Sequence, residues 1–387
     1  MKKRRNWFLA GIYVLVVTVN MLSWHSKKFC NQIRKSIFRM TQYIQGHISS
    51  LFPFSVGEFL LMLAVLLAAA LALFVVLCAG RVTKESEKKE TVRKFAGRYY
   101  CLLLWVIAVT SVVMSINCFV LYHCSSFSEM YMPGSEREYK VRELALVRDH
   151  VVRQCNELAE QMERDENGYI VYRGDMERLA VAQMERLGEE YPLFDGYYPD
   201  PKALTFSGFF SQQYIMGYYF PFSMEANYND VMHILNFPST MCHELAHLRG
   251  YIYEDEANFI GYLACVESED VFFQYAGYLS VLVYLNNDLY KAWKEERAAY
   301  EEAAAIVCPV AVNAQVWEDN IFVTEEEWER INGKALIDTE IVDKAADVFI
   351  DANLKVNGVA DGKISYSRVV RLLLQYYRQN PEEAGAV

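Results

Sequence analysis

The stretch FPSTMCHELAHLRGYIYEDEANFIGYLAC, residues 237–265, decides how this chain is to be understood. Pro238 and the hydroxyl residues after it are typical of a helix start, and Gly250 is typical of a helix stop. A second helix is expected to begin near Tyr253. Two short helices joined by a tight turn are therefore predicted, with the sequence HELAH on the first of them.

Two histidines on the first helix are spaced to bind one metal ion. His243 and His247 are four residues apart, so both imidazoles project from one helix face. Glu244 is rotated by about 100° and can act as a base beside an open coordination position. The alternative is an ordinary helix with incidental histidines. Apolar neighbours argue against it, because unpaired buried histidines are costly.

A third metal ligand is expected from the second helix, whose first turn carries several carboxylates. Glu254 is the first candidate, because Asn258 one turn later would share its face and could support a ligating histidine. Glu256 is the alternative. Catalytic zinc takes three protein ligands and leaves one position open, so the pattern predicts a Zn²⁺ site.

Outside this stretch, three apolar runs dominate the first third of the chain. They cover residues 7–24, 59–80 and 101–122, and none contains a charged residue. About 20 apolar residues are needed to cross a bilayer, so the sequence predicts a multi-pass protein of the cell membrane. A cleaved signal peptide is the competing interpretation of the first run, but no small-residue cleavage site follows it.

Charge separates the two parts of the chain. Residues 1–122 contain 16 Lys and Arg against 4 Asp and Glu, whereas the remainder contains 22 against 45, so the net charges are +12 and −23. An acidic domain excludes nucleic acid as the expected partner. Basic residues number 11 on the side of the N-terminus and 8 on the other side, which predicts an extracytoplasmic position for the acidic part. The loop after the first run is predicted either as a helix in the membrane interface or as a solvated connector.

The back half reads as helical with a small β element. Residues 123–136 are predicted to form a linker, and residues 137–387 a globular domain. The aromatic stretch 218–229 suits one short strand, and Pro221 favours an edge position. The expected fold class is mainly α with a small β element, preceded by transmembrane helices.

The motif HELAH followed by EDEANF resembles the gluzincin group of zinc metallopeptidases. Most of the chain, including GYYFPFSMEANYN and DGKISYSRVVRLLL, is similar to an uncharacterised bacterial membrane family, a domain of unknown function. The resemblance implies a zincin-like catalytic domain over residues 137–387 that hydrolyses a peptide or protein substrate. Glu254 follows His247 more closely than the third ligand does in thermolysin-like enzymes.

Transition-state stabilisation requires a hydrogen-bond donor beside the developing oxyanion. Tyr366 is the first candidate by residue type, with Tyr275 and Arg368 as alternatives. The expected function is that of a membrane-anchored zinc metallopeptidase in which Glu244 activates water. The rival expectation is a zinc-binding membrane sensor or scaffold without hydrolysis, although such a site has no need of Glu244.

Overall fold

A computed structural model describes residues 2–81, 86–132, 139–307, 309–356 and 368–381. The described residues are mainly helical with a small β element, as predicted, and this element is a three-stranded sheet. In chain order the elements are α1 Lys2–His25, α2 Lys27–Ile33, α3 Arg39–Ser49, α4 Val56–Arg81, α5 Ser86–Met114, α6 Phe127–Tyr131, α7 Val141–Ala159, α8 Met176–Glu190, β1 Lys202–Ala203, α9 Ser207–Ser211, β2 Gly217–Phe220, β3 Glu225–Tyr228, α10 Phe237–His247, α11 Glu254–Val266, α12 Val271–Glu295, α13 Arg297–Ile306, α14 Ala314–Asp319, α15 Glu325–Lys334, α16 Thr339–Val356 and α17 Arg368–Gln379.

Among the described residues, three helical segments are long and apolar enough to cross a membrane. They are Asn6–His25, Val56–Leu73 and Ala96–His123, and they overlap the three predicted runs. The polar side chain of Asn20 in the first segment donates to the Ser115 hydroxyl, 2.7 Å away. Internal bonds of this kind satisfy polar groups that a bilayer cannot solvate.

The loop after the first membrane helix forms a nearly continuous helix that packs on the back half. A π-helical turn, Arg34–Phe38, joins α2 to α3. The Arg34 guanidinium donates to the Ser125 carbonyl at 3.0 Å, and Gln42 donates to the Tyr197 carbonyl at 3.0 Å. The loop and the back half therefore lie on the same side of any membrane that the spans cross.

The segment predicted as a linker is packed in its described part. Residues 127–131 form α6, and the Phe127 side chain is 1% exposed within the main core. The helix begins with a capping box, in which the Ser126 hydroxyl and the Glu129 carboxylate bond each other's backbone N–H groups. Residues 133–136 of the predicted linker lie outside the described residues.

The stretch predicted as one strand forms two. β2 and β3 pair antiparallel around a turn at residues 221–224, and β1 pairs parallel with the other side of β3. Met224 adopts a left-handed conformation, with φ of 53°, which lets the chain reverse. The prediction of a single strand was wrong because this reversal carries no glycine. Pro221 lies in the turn, and β2 is one of the two edge strands of the sheet as described, the other being β1.

Helices α10 and α11 pack closely at the centre of the core. A Cβ added at Gly261 of α11 would lie 2.8 Å from the Ser239 carbonyl oxygen and 3.2 Å from the His243 backbone nitrogen. Glycine at this position lets the two backbones approach directly, so the first turn of α11 faces the last turns of α10.

Candidate metal centre

The histidine helix ends where the sequence predicts. α10 has Pro238 in its first turn and ends at His247, and Gly250 then has a φ of 82°. The chain reverses through this turn, and α11 begins at Glu254 after Tyr253. The start of α10 differs from the prediction, because the helix already begins at Phe237, before the hydroxyl residues.

Three predicted ligands come together across the α10–α11 junction. The Nε2 atom of His243 lies 3.1 Å from a carboxylate oxygen of Glu254, and the Nε2 atom of His247 lies 3.8 Å from the other oxygen. One ligand atom from each residue lies within 4.8 Å of the others. Two imidazole nitrogens and a carboxylate oxygen at this spacing match the donor set of a zinc site.

Each histidine is held from behind through its other nitrogen. The Nδ1 atom of His243 is 2.8 Å from the Asn258 side-chain oxygen, and that of His247 is 2.6 Å from the Tyr251 carbonyl oxygen. Because both partners are acceptors, both Nδ1 atoms carry the proton. Each Nε2 atom is thereby turned toward Glu254, the arrangement that supports a ligating histidine.

Strong electrostatic coupling marks the cluster. Burial lowers the pKa of His243, but the hydrogen bond and negative charge of Glu254 more than offset it and raise the pKa to about 9. Burial and the charge on His243 lower the pKa of His247 to about 4. Burial raises the pKa of Glu254, but His243 outweighs it and the pKa falls to about 2. Within the cluster, the positive charge therefore lies on His243, where it pairs with Glu254.

Glu244 lies beside the cluster and is buried in the protein. Its side chain is buried, and one oxygen is 4.0 Å from the Nε2 atom of His243. The other oxygen has no hydrogen-bond partner among the described residues. Burial raises its pKa to about 8, and the nearby charge of Glu254 adds to this effect. A buried carboxylate with a free oxygen is suited to exchanging a proton with a bound small molecule.

Strand β2 lies against one side of the Glu244 carboxylate. A Cβ added at Gly217 would lie 2.5 Å from the Glu244 carboxylate and 2.7 Å from the Thr240 methyl group. The backbone N–H of Tyr219 bonds to Glu244, and the Tyr219 ring lies 5.8 Å from that of His247. Only glycine allows the strand to run this close to the carboxylate.

The alternative ligand Glu256 faces another part of the molecule. Its carboxylate accepts hydrogen bonds from the backbone N–H groups of Phe127, at 2.7 Å, and Ser128. Burial raises its pKa to about 8. Glu256 therefore caps α6, and the cluster is completed by Glu254.

Two of the three candidate oxyanion donors, Tyr275 and Arg368, lie among the described residues. Tyr366 lies outside the described residues. The hydroxyl of Tyr275 donates to Asp319 at 2.7 Å, so it is engaged elsewhere in the core. Arg368 is the first residue of α17. Burial raises the pKa of Asp255 to about 6, and the positive charge of Arg368 offsets part of this increase.

Two phenols that the sequence did not single out border the acidic groups. Burial raises the pKa of Tyr218 to about 12, and the charge of Glu244 contributes. Burial and the charge of Glu254 raise the pKa of Tyr284. Both phenols stay protonated at neutral pH and can donate hydrogen bonds. Among 27 tyrosines, residue type alone could not distinguish them.

Fold and site together define a helical protein with three helices of membrane-spanning length and a His–His–Glu cluster next to a buried glutamate. A family model described as a protein of unknown function, DUF3810, matches residues 34–374. The chain therefore belongs to the DUF3810 family. Comparisons with curated proteins and with solved structures give no match.

Proposed function

We propose that the protein is a membrane-anchored zinc metallopeptidase that hydrolyses peptide bonds. The observation that carries the proposal is the convergence of the His243, His247 and Glu254 ligand atoms within 4.8 Å, with Glu244 alongside. This set agrees with the gluzincin-like motif, in which a glutamate from the following helix completes HExxH. The unpartnered oxygen of Glu244 also fits, because a site with no catalytic task has no use for it.

His243, His247 and Glu254 would hold the ion. A Zn²⁺ ion in such a site supplies Lewis-acid activation of a carbonyl and of water. Glu244 accepts the proton released as water attacks the scissile carbonyl, and it returns this proton to the amine nitrogen as the carbon–nitrogen bond breaks. Burial raises the proton affinity of Glu244, so the carboxyl group keeps the proton from the attack of water until the carbon–nitrogen bond breaks.

The neighbouring strand supplies a place for the substrate backbone. β2 is an edge strand of the described sheet and runs past Glu244, so an extended peptide could pair with it. Tyr218 and Tyr284 are the phenols best placed to donate to a developing oxyanion. Tyr366 stays a prediction for the same role, since it lies outside the described residues.

The membrane arrangement follows from the spans and the charge. Residues 1–122 form the membrane part, with three spans, and residues 137–387 carry the catalytic machinery after the segment 123–136. The distribution of basic residues favours an extracytoplasmic catalytic part. A reporter fused at the C-terminus tests this orientation.

Zinc content and proteolysis test the function. The purified full chain in nanodiscs should hold one zinc ion and cleave members of a randomised peptide pool. Glu244→Gln should keep the zinc and lose the cleavage, because the ligands are unchanged while the base is removed. A chain without zinc, or a variant that cuts as well as the wild type, contradicts the proposal.

A non-hydrolytic zinc sensor is the second candidate, favoured by the direct contact between the site and the membrane helices. The Tyr219 hydroxyl donates to the Asn117 carbonyl in the third membrane segment, at 3.0 Å. A wild-type chain that binds zinc and cuts no member of the pool would favour this function over the peptidase.

A further inference from the structure

One side chain separates a metal ligand from a membrane helix. The Tyr219 ring packs beside His247, and its hydroxyl donates to the Asn117 carbonyl. The Asn117 side chain in turn donates to the Pro221 carbonyl at 2.7 Å. Asn117 is fully buried and belongs to the third apolar segment, Ala96–His123. The β2–β3 hairpin is therefore attached to the end of this span.

The same hairpin rests on the start of the second span. The Glu225 carboxylate accepts hydrogen bonds from the backbone N–H groups of Val56, at 3.0 Å, and Gly57, at 2.8 Å. A Cβ added at Gly57 would lie 2.7 Å from the Phe220 ring, so strand and helix are in direct contact. Val56 is the first residue of the second apolar segment. The turn end of the hairpin thus contacts both the second and the third apolar segments.

The helix formed by residues 27–49 marks the level of the bilayer surface. Its buried face carries Arg34 and Gln42, which contact the back half. Its opposite face exposes large apolar side chains at helical spacing: Ile37, Met40, Ile44, Ile48 and Leu51 just beyond its end. Both ends of this helix continue into spans, so the exposed apolar face lies along the bilayer surface.

Trp24, near the end of α1, lies at the same level. Trp24 is 60% exposed and packs on His123, the last residue of the third segment, with ring centroids 4.5 Å apart. Tryptophan favours the boundary between hydrocarbon and water. The surface on which the back half rests is therefore the bilayer surface itself.

The strand limits the distance between the reacting group and the third apolar segment. Gly217 lies against Glu244, and Pro221, four residues later, is bonded to Asn117. At about 3.3 Å per residue, the site lies no more than about 13 Å along the strand from this contact with the segment Ala96–His123. A peptide paired along the edge of β2 would therefore reach the segment within about four residues of the metal cluster.

We propose that the substrate is a membrane-tethered polypeptide that is cut within about ten residues of the bilayer surface. The inference rests on the proposed peptidase function and names its substrate class. A tether supplies the affinity, since it raises the effective concentration of the segment beside the site. A soluble peptide lacks this advantage and has no preferred position along its length.

The test uses the full chain loaded with zinc in proteoliposomes. The probe is a pool of peptides in which one transmembrane helix is followed by about 40 randomised residues, and the control is the same randomised segment without the helix. Mass spectrometry maps the cuts in both pools. Cuts in the anchored pool should concentrate at least about tenfold in the ten positions next to the membrane, and cuts in the free pool should be spread evenly. Glu244→Gln should give no cuts.

An even spread of cuts in the anchored pool overturns the inference and leaves the peptidase function standing. No cuts in either pool, with zinc bound, overturns the peptidase function and the inference with it. A second measurement needs no activity. A nitroxide on Phe222→Cys, in the hairpin turn, should be more accessible to oxygen than to a water-soluble nickel reagent. The reverse order would place the hairpin away from the bilayer and would also overturn the inference.

Discussion

Replacing Glu254 by Gln isolates the carboxylate that completes the cluster. Loss of a residue that only supports a metal ligand typically weakens binding about 10- to 100-fold, or about 1.4–2.7 kcal/mol. Glu254 itself faces both Nε2 atoms, so Glu254→Gln should weaken zinc binding by more than about 100-fold. One effect acts in the opposite direction. At pH 7.5 the wild type must release the proton that Glu254 stabilises on His243, whose pKa is about 9, at a cost of roughly 2 kcal/mol.

The variant avoids most of that cost, so the comparison is made at pH 9, where proton competition is small. Zinc affinity is measured on the full chain in nanodiscs by competition with a chromogenic chelator. Glu256→Gln is the matched control, because this buried carboxylate lies on the same helix turn but bonds α6. Zinc affinity of Glu254→Gln within threefold of the wild type would refute the assignment, as would an equal loss in Glu256→Gln.

Three further changes give measurable outcomes. Asn258→Ala should weaken zinc binding about 10- to 100-fold in the same titration, because His243 loses its hydrogen bond to Asn258 and its ring becomes free to rotate. An unchanged zinc affinity would show that this hydrogen bond does not orient the site. Gly217→Ala should leave zinc affinity within threefold of the wild type but slow cleavage of the anchored pool about 10- to 100-fold, because the added methyl group would displace Glu244. The control is Gly333→Ala, whose methyl group meets nothing within 4 Å, and this variant should cut normally. Burial lowers the pKa of His150 to about 4, so the unfolded chain binds more protons than the folded chain and the free energy of unfolding falls as the pH drops from about 6.5 to 4. His150→Gln should remove up to about 3 kcal/mol of that fall in denaturant titrations. Parallel pH profiles of the wild type and the variant would contradict the assignment.

Local sequence signals were sufficient to predict that His243, His247 and Glu254 come together. The four-residue spacing of the histidines, the turn at Gly250 and the acidic start of α11 act within one or two helical turns. Glu254 could be preferred over Glu256 because its face is shared with Asn258, and both side chains lie as that geometry requires. The three apolar runs could also be predicted from the sequence, because a membrane-spanning helix is recognised by the composition of its own residues.

Long-range contacts were beyond the sequence. The bond between Asn117 and Pro221 joins residues 104 positions apart, and an asparagine near the end of an apolar run gives no sign of its partner. Arg34 belongs to the loop predicted as an interfacial helix or a solvated connector, yet it is 1% exposed and lies over the Tyr251 ring. The reversal at Met224 was missed because the turn contains no glycine, although Met224 has a positive φ.

The acids that hold the hairpin to the second membrane helix bear on how the protein can be handled. Glu225 accepts backbone N–H groups of that helix, and Glu58 at its start accepts those of Thr205 and Phe206 in the back half. A fragment expressed without its first 122 residues would keep Glu225 but lose its backbone donors, and it would bare the core surface that Phe38 covers. The back half is thus no detachable soluble module, and biochemical work on it calls for the intact chain in lipid or detergent.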